Sequence, residues 1–175
     1  EFMMKYMTKH YCISISVIFI NILGCRKVND DCNLNDYPNA PIIEWNTQVN
    51  GSEEESHGHY ILSCSDGGYL QIGETGIIPN TTKIFIVKTN HSGQLIWKKE
   101  FGNNGINLGN SAIETSTGYI ICGAIDGNSA LIKLDKSNGN QKFVRTVDNG
   151  GSNAFENIIQ SPNGFIAVGY NHAED

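Results

Sequence analysis

The chain has 175 residues, 18 acidic and 12 basic, for a formal charge of −6, and 39% of it is apolar. An acidic chain of this size can bury a domain-sized core, and without a basic cluster it lacks the electrostatic footprint of a nucleic-acid binder. Its five cysteines include no Cys-x-x-Cys pair, which removes support for a zinc ribbon or a dithiol redox centre.

In chain order, residues 1–24 come first and differ from all that follows. Lys5 and Lys9 give a positive start, and Ile13 to Leu23 form an apolar stretch. That stretch is far shorter than the roughly 20 residues of a spanning helix and reads as the helical h-region of an export signal. It ends in Ile22-Leu23-Gly24-Cys25. This run resembles the lipobox of bacterial lipoproteins, and the resemblance implies that residues 1–24 are a lipoprotein signal peptide and that Cys25 is diacylated as the new N-terminus. Arg26, in place of Asp, implies an outer-membrane destination, and Lys27, Asp30 and Asp31 look similar to lipoprotein surface-export signals. The expected location is the cell envelope, lipid-anchored and surface-exposed. Removal of Glu1, Lys5 and Lys9 with the signal brings the net charge to −7.

Residues 25–41, the lipidated Cys and the segment after it, are rich in Asn, Asp and Pro and read as a flexible tether. With Cys12 in the signal and Cys25 lipidated, Cys32, Cys64 and Cys122 remain. Cys32 and Cys64 are candidates for a disulfide between tether and domain, whereas Cys122, within Tyr119-Ile120-Ile121-Cys122, is expected to be a buried thiol.

From Ile42 a pattern recurs. Trp45, Trp97 and Phe143 each stand four residues before an apolar residue, and 23, 21 and 21 residues later come Gly68-Tyr69, Gly118-Tyr119 and Gly164-Phe165. Each of these strands ends in a glycine, at Gly73, Gly123 and Gly169. A period of 46 to 50 residues marks stacked supersecondary units. The first complete unit predicts strands at Tyr60-Ile61-Leu62, Tyr69 to Ile72, Ile84 to Lys88 and Gln94 to Lys98. The second predicts Ser111-Ala112-Ile113, Tyr119 to Cys122, Ser129 to Lys133 and Gln141 to Val144. The third begins at Asn157-Ile158-Ile159. Four short strands per unit is the arithmetic of a propeller blade, so the expected class is all-β.

The turns Leu134-Asp135-Lys136-Ser137-Asn138-Gly139-Asn140-Gln141-Lys142-Phe143 and Thr89-Asn90-His91-Ser92-Gly93-Gln94-Leu95-Ile96-Trp97 resemble the Asp-x-x-x-Gly-x-x-x-Trp turn of quinoprotein-type β-propellers. Asp66-Gly67-Gly68-Tyr69-Leu70-Gln71-Ile72-Gly73 is similar to the Gly-Gly-Tyr strand of bacterial surface propeller repeats. The resemblance implies that residues 42–175 are a partial propeller of about two full blades and two halves. It also implies that Trp45, Trp97 and Phe143 dock structurally on neighbouring blades. Remaining blades or another chain would close the ring, and the strand at Trp45 would take a C-terminal partner.

Candidate chemistry is sparse. In Glu53-Glu54-Glu55-Ser56-His57-Gly58-His59, an extended backbone puts His57 and His59 on one side, so with Glu55 they can hold Zn²⁺ or Cu²⁺. The other reading is a polar loop. Asn103, Asn107 and Asn110, with Asn149 and Asn153, recur on loops that can bind a sugar through amides or Ca²⁺ through oxygens, and turn chemistry explains them as well. No Gly-x-Ser-x-Gly motif occurs, Glu100, Glu114 and Glu156 have no special setting, and no cofactor is required, with Ca²⁺ or Zn²⁺ the ions to consider. The leading expectation is non-catalytic binding of a glycan or protein ligand. The alternatives are part of an envelope enzyme (hydrolase, lyase or quinoprotein dehydrogenase) and a structural surface assembly component.

Overall fold

The computed structural model describes residues 2–7 by their backbone, and residues 42–53, 55–77 and 81–172 in full. The signal h-region, Cys25, Cys32 and the tether lie outside the described residues. The strands are β1 (Phe2–Met7), β2 (Ile43–Val49), β3 (Ser56–Ser63), β4 (Tyr69–Gly76), β5 (Thr82–Thr89) and β6 (Leu95–Phe101). They continue with β7 (Leu108–Thr115), β8 (Gly118–Ile125), β9 (Asn128–Leu134), β10 (Gln141–Val147), β11 (Ser152–Ser161) and β12 (Gly164–His172). No helix occurs among the described residues, and that part of the protein is all-β.

The chain divides into two compact units, one spanning Met4–Thr47 and one made of Glu1–Met3 with Gln48–Asp175, which carries every strand from β3 onward. β1 and β2 form a two-stranded sheet. The strand at Trp45 is thus paired with an N-terminal segment that belongs to the expected signal peptide, and in a chain cleaved before Cys25 this edge is free for the C-terminal partner the sequence suggests. A bare strand presents a row of unpaired N–H and C=O groups and accepts whichever extended segment reaches it.

The larger unit contains two antiparallel meanders of four strands, β3-β4-β5-β6 and β7-β8-β9-β10, followed by the hairpin β11-β12. All the strands expected of the two complete units are present, in the expected order. Three β-bulges fall at one repeat position: His59, Asn110 and Glu156 each lie unpaired just after a residue that faces the glycine ending the second strand. At Gly123 a side chain is excluded, because a Cβ would fall 1.8 Å from the Leu108 carbonyl oxygen.

Successive sheets pack face to face, β7 lying against β3, β4 and β5, and β11 against β7, β8 and β9. This stacking explains why the middle strands are apolar without a break. Side chains alternate across a strand, so Ile84 and Ile86 enter one core with Leu70, Ile72, Tyr119, Ile121, Ile132 and Leu134, while Phe85 and Val87 join Val49 on the opposite face. Ile120 and Cys122 face Ile158 in a third cluster. Burial of each such side chain stabilises the fold by about 1.5–3 kcal/mol. Cys122 is 1% exposed, and burial pushes its thiol up to about 12. Cys64 is also a free buried thiol, its Sγ near the Leu62 carbonyl, and its expected partner Cys32 lies outside the described residues. It sits inside the apolar core, where burial raises its pKa.

Candidate functional site

Three side chains converge at the start of the first meander. Antiparallel pairing of β3 with β4 sets His57 opposite Glu74, and the bulge turns His59 toward the same carboxylate. His59 Nε2 donates to Glu74 Oε1 at 2.9 Å, and His57 Nδ1 stands 3.7 Å from that oxygen. One ligand atom from each of His57, His59 and Glu74 lies within 4.8 Å of the others. The imidazoles are partly open to solvent, whereas Glu74 is 3% exposed and its Oε2 is buried without a partner. The bond from Glu74 raises the His59 pKa against the opposing effect of burial, with the Glu74 and Glu156 charges adding to it.

Glu55 stands elsewhere than the sequence suggested. Its Oε1 accepts from His57 Nε2 at 2.6 Å, on the far side of the ring from Glu74. It therefore orients His57, and Glu74 takes the third place. Sequence reasoning missed Glu74 because it lies on the next strand. The signal was the hairpin turn at Asp66-Gly67, which folds the two segments onto one another.

The asparagines are mostly engaged within the fold. Asn107 is fully buried: its Nδ2 donates to the carbonyls of Thr82 (2.6 Å) and Gly105 (3.0 Å), and its Oδ1 accepts from Asp126 N (3.0 Å). Asn153 repeats this from the next unit, accepting from Ser129 N and donating to the Gly151 carbonyl. Asn110 donates to the Phe155 carbonyl, Asn103 lies 3.4 Å from Asp126, and the Asn149 carbonyl accepts from Asn171. Asn107 and Asn153 thus clamp loops to strands, with no free amide for a sugar or Ca²⁺.

Carboxylates without an evident setting in the sequence also prove structural. Glu114 accepts from the Ser65 amide and hydroxyl, both at 2.7 Å, and pairs with Lys136 at 2.6 Å. Burial opposes its charge, but the bonds from Lys136 and Ser65 prevail and hold its pKa below the ordinary value. Glu100 accepts from the Ser52 amide at 2.7 Å.

The three aromatics differ in setting. The Trp97 indole Nε1 donates to the Lys136 carbonyl at 3.2 Å, and its ring lies over Gly139 and near Tyr119, with ring centroids 6.3 Å apart. Gly139 has a φ of 68° and a Cβ there would strike the indole, so the turn needs glycine twice over. Trp45 is half-buried. Phe143 is 44% exposed and, with the 46% exposed Phe165, lines an open groove beside Glu114, Lys133, Lys136 and Gln160. No protein-family model matches the chain, and a search of curated proteins finds no match.

Proposed function

We propose that this chain is a lipid-anchored β-propeller protein of the cell envelope whose blades bind a polypeptide ligand without catalysis. The groove at Phe143 and Phe165 carries this reading. Those residues hold the repeat positions of Trp97 and Tyr119, an aromatic pair whose indole the turn at Asp135–Asn140 covers in the preceding repeat. At Phe143 and Phe165 the same kind of pair stands open to solvent. Its natural occupant is a glycine turn, supplied by a further blade or by another chain. Propellers use some 4 to 8 blades, so such an addition also advances ring closure. The structural engagement of Glu100, Glu114, Asn107 and Asn153 supports a scaffold over a catalytic site. Attachment through Cys25 rests on the Ile22-Leu23-Gly24-Cys25 run, and a sugar is the competing occupant of the groove.

The test is binding of the full chain to a panel of Asp-x-x-x-Gly turn peptides and to a glycan array. Retention of a peptide, reduced at least about tenfold by Phe143→Ala with the fold intact, supports the reading. Retention of a glycan alone, or turnover of the bound ligand, overturns it. Intact mass spectrometry of envelope fractions checks the anchor: a diacylglycerol adduct is expected, lost in Cys25→Ser.

A further inference from the structure

Beyond that reading, we infer that His57, His59 and Glu74 form a transition-metal site, filled by Zn²⁺, with Glu55 as the outer carboxylate that orients His57. Four observations converge on it.

The first is donor chemistry. Two imidazoles and a carboxylate are a ligand set that Zn²⁺ takes, leaving one position open. Tetrahedral bonds of the usual length put ligand atoms about 3.3 Å apart. The separations here, 2.9 and 3.7 Å to one oxygen and at most 4.8 Å within the group, lie within a small side-chain adjustment of that geometry.

The second is orientation. Glu55 Oε1 holds the Nε2 edge of His57 at 2.6 Å and leaves Nδ1 as the ring nitrogen that faces the Glu74 carboxylate, 3.7 Å away. A ligating imidazole whose far N–H is held by a carboxylate is the usual arrangement around protein-bound zinc.

The third is the orphaned oxygen. Glu74 is 3% exposed and its Oε2 has no hydrogen-bond partner. An unpartnered buried carboxylate oxygen is costly unless a ligand satisfies it.

The fourth comes from the repeat. The register positions of His57 and Glu74 are held by Leu108 and Ala124 in the second sheet and by Ala154 and Tyr170 in the third. The sheet therefore folds without a charged pair there, and the polar set belongs to the first sheet alone.

The experiment is titration of the metal-free full chain with Zn²⁺ by calorimetry at about pH 7.5, since protons compete with the metal for its ligands at lower pH. Co²⁺ as a substitute reports geometry through its visible absorption. One Zn²⁺ per chain is expected, with affinity falling at least about tenfold in His57→Gln and in His59→Gln, and about 10- to 100-fold in Glu55→Gln through loss of orientation. Glu74→Gln keeps the shape of the buried side chain and serves if the histidine variants do not fold. Binding no tighter than about 100 µM, or binding unchanged in the double variant H57Q/H59Q, overturns the proposal.

Discussion

Lys88 on β5 and Lys133 on β9 hold the same place in successive sheets, opposite Leu70 and Ile120 and beside Trp97 and Phe143. Both are buried, at 1% and 8% exposure. Lys88 pairs with Asp66 at 2.9 Å and donates to the Thr89 carbonyl, whereas Lys133 reaches the Thr115 hydroxyl and carries a pKa lowered by burial and by Lys142 and Lys136. Asp66 in the first sheet becomes Ser116 in the second, so one lysine has a carboxylate and the other does not. The same divergence separates His57 and Glu74 from Leu108 and Ala124. A shared backbone therefore tolerates polar or apolar solutions at one register position, and polar groups present in one sheet only are where function is to be sought.

The widest gap between repeats concerns the docking aromatics. Trp97→Ala empties a filled slot and is expected to destabilise the fold by about 3–4 kcal/mol, while Phe143→Ala on the open groove costs less than about 1 kcal/mol. Urea unfolding of both variants measures the gap; equal losses would mean that Phe143 is already docked. Next come the buried clamps at one repeat position, Asn107 and Ser56. Asn107→Ala removes the side-chain partner of the Asp126 amide and of the Thr82 carbonyl, for a loss of about 2–3 kcal/mol, and Ser56→Ala loses about 1 kcal/mol. The same unfolding series checks the order.

The lysines provide a smaller but opposite-signed pair. Lys133→Met removes a desolvated charge with no carboxylate partner and is expected to stabilise by about 0.5–1 kcal/mol, whereas Lys88→Met destabilises by about 1 kcal/mol. Two changes of the same sign would show that the Asp66 pair contributes nothing, and thermal melts suffice to tell.

The smallest effect is pH-dependent and concerns Glu114, which ties the two meanders together. Its folded pKa lies below the ordinary 4.5, so its contribution is full above that value and is lost as pH falls through the folded pKa. Glu114→Gln is expected to flatten that part of the acid limb of a urea-midpoint profile, and an unchanged limb would rule out the linkage.

Much of the fold was legible because strand signals are local. Gly-aromatic starts, β-branched runs and Asx-Gly turns such as Asp135 to Gly139 act over a few residues, and Asp135 Oδ1 does accept from the Ser137 amide at 2.8 Å. Two of the three candidate metal ligands were equally legible, since His57 and His59 are two residues apart. Glu74 was not, because only strand pairing brings it to His57. For Asn107 and Asn153 the hydrogen bonds support the turn reading over the ligand reading, a choice composition leaves open because it shows an amide at a loop but not whether backbone groups already occupy it.

By itself the sequence determined the class and the order of elements: an all-β chain with two units of four short strands and the start of a third. Residue type and spacing set local backbone preference, and repetition reveals it. Only the tertiary structure decided which polar groups are engaged and which are left unpartnered. Antiparallel register and face-to-face stacking bring together side chains distant in sequence, placing Glu74 beside His57, burying Asn107 against Thr82, and seating Trp97 on Gly139 while Phe143 stays open.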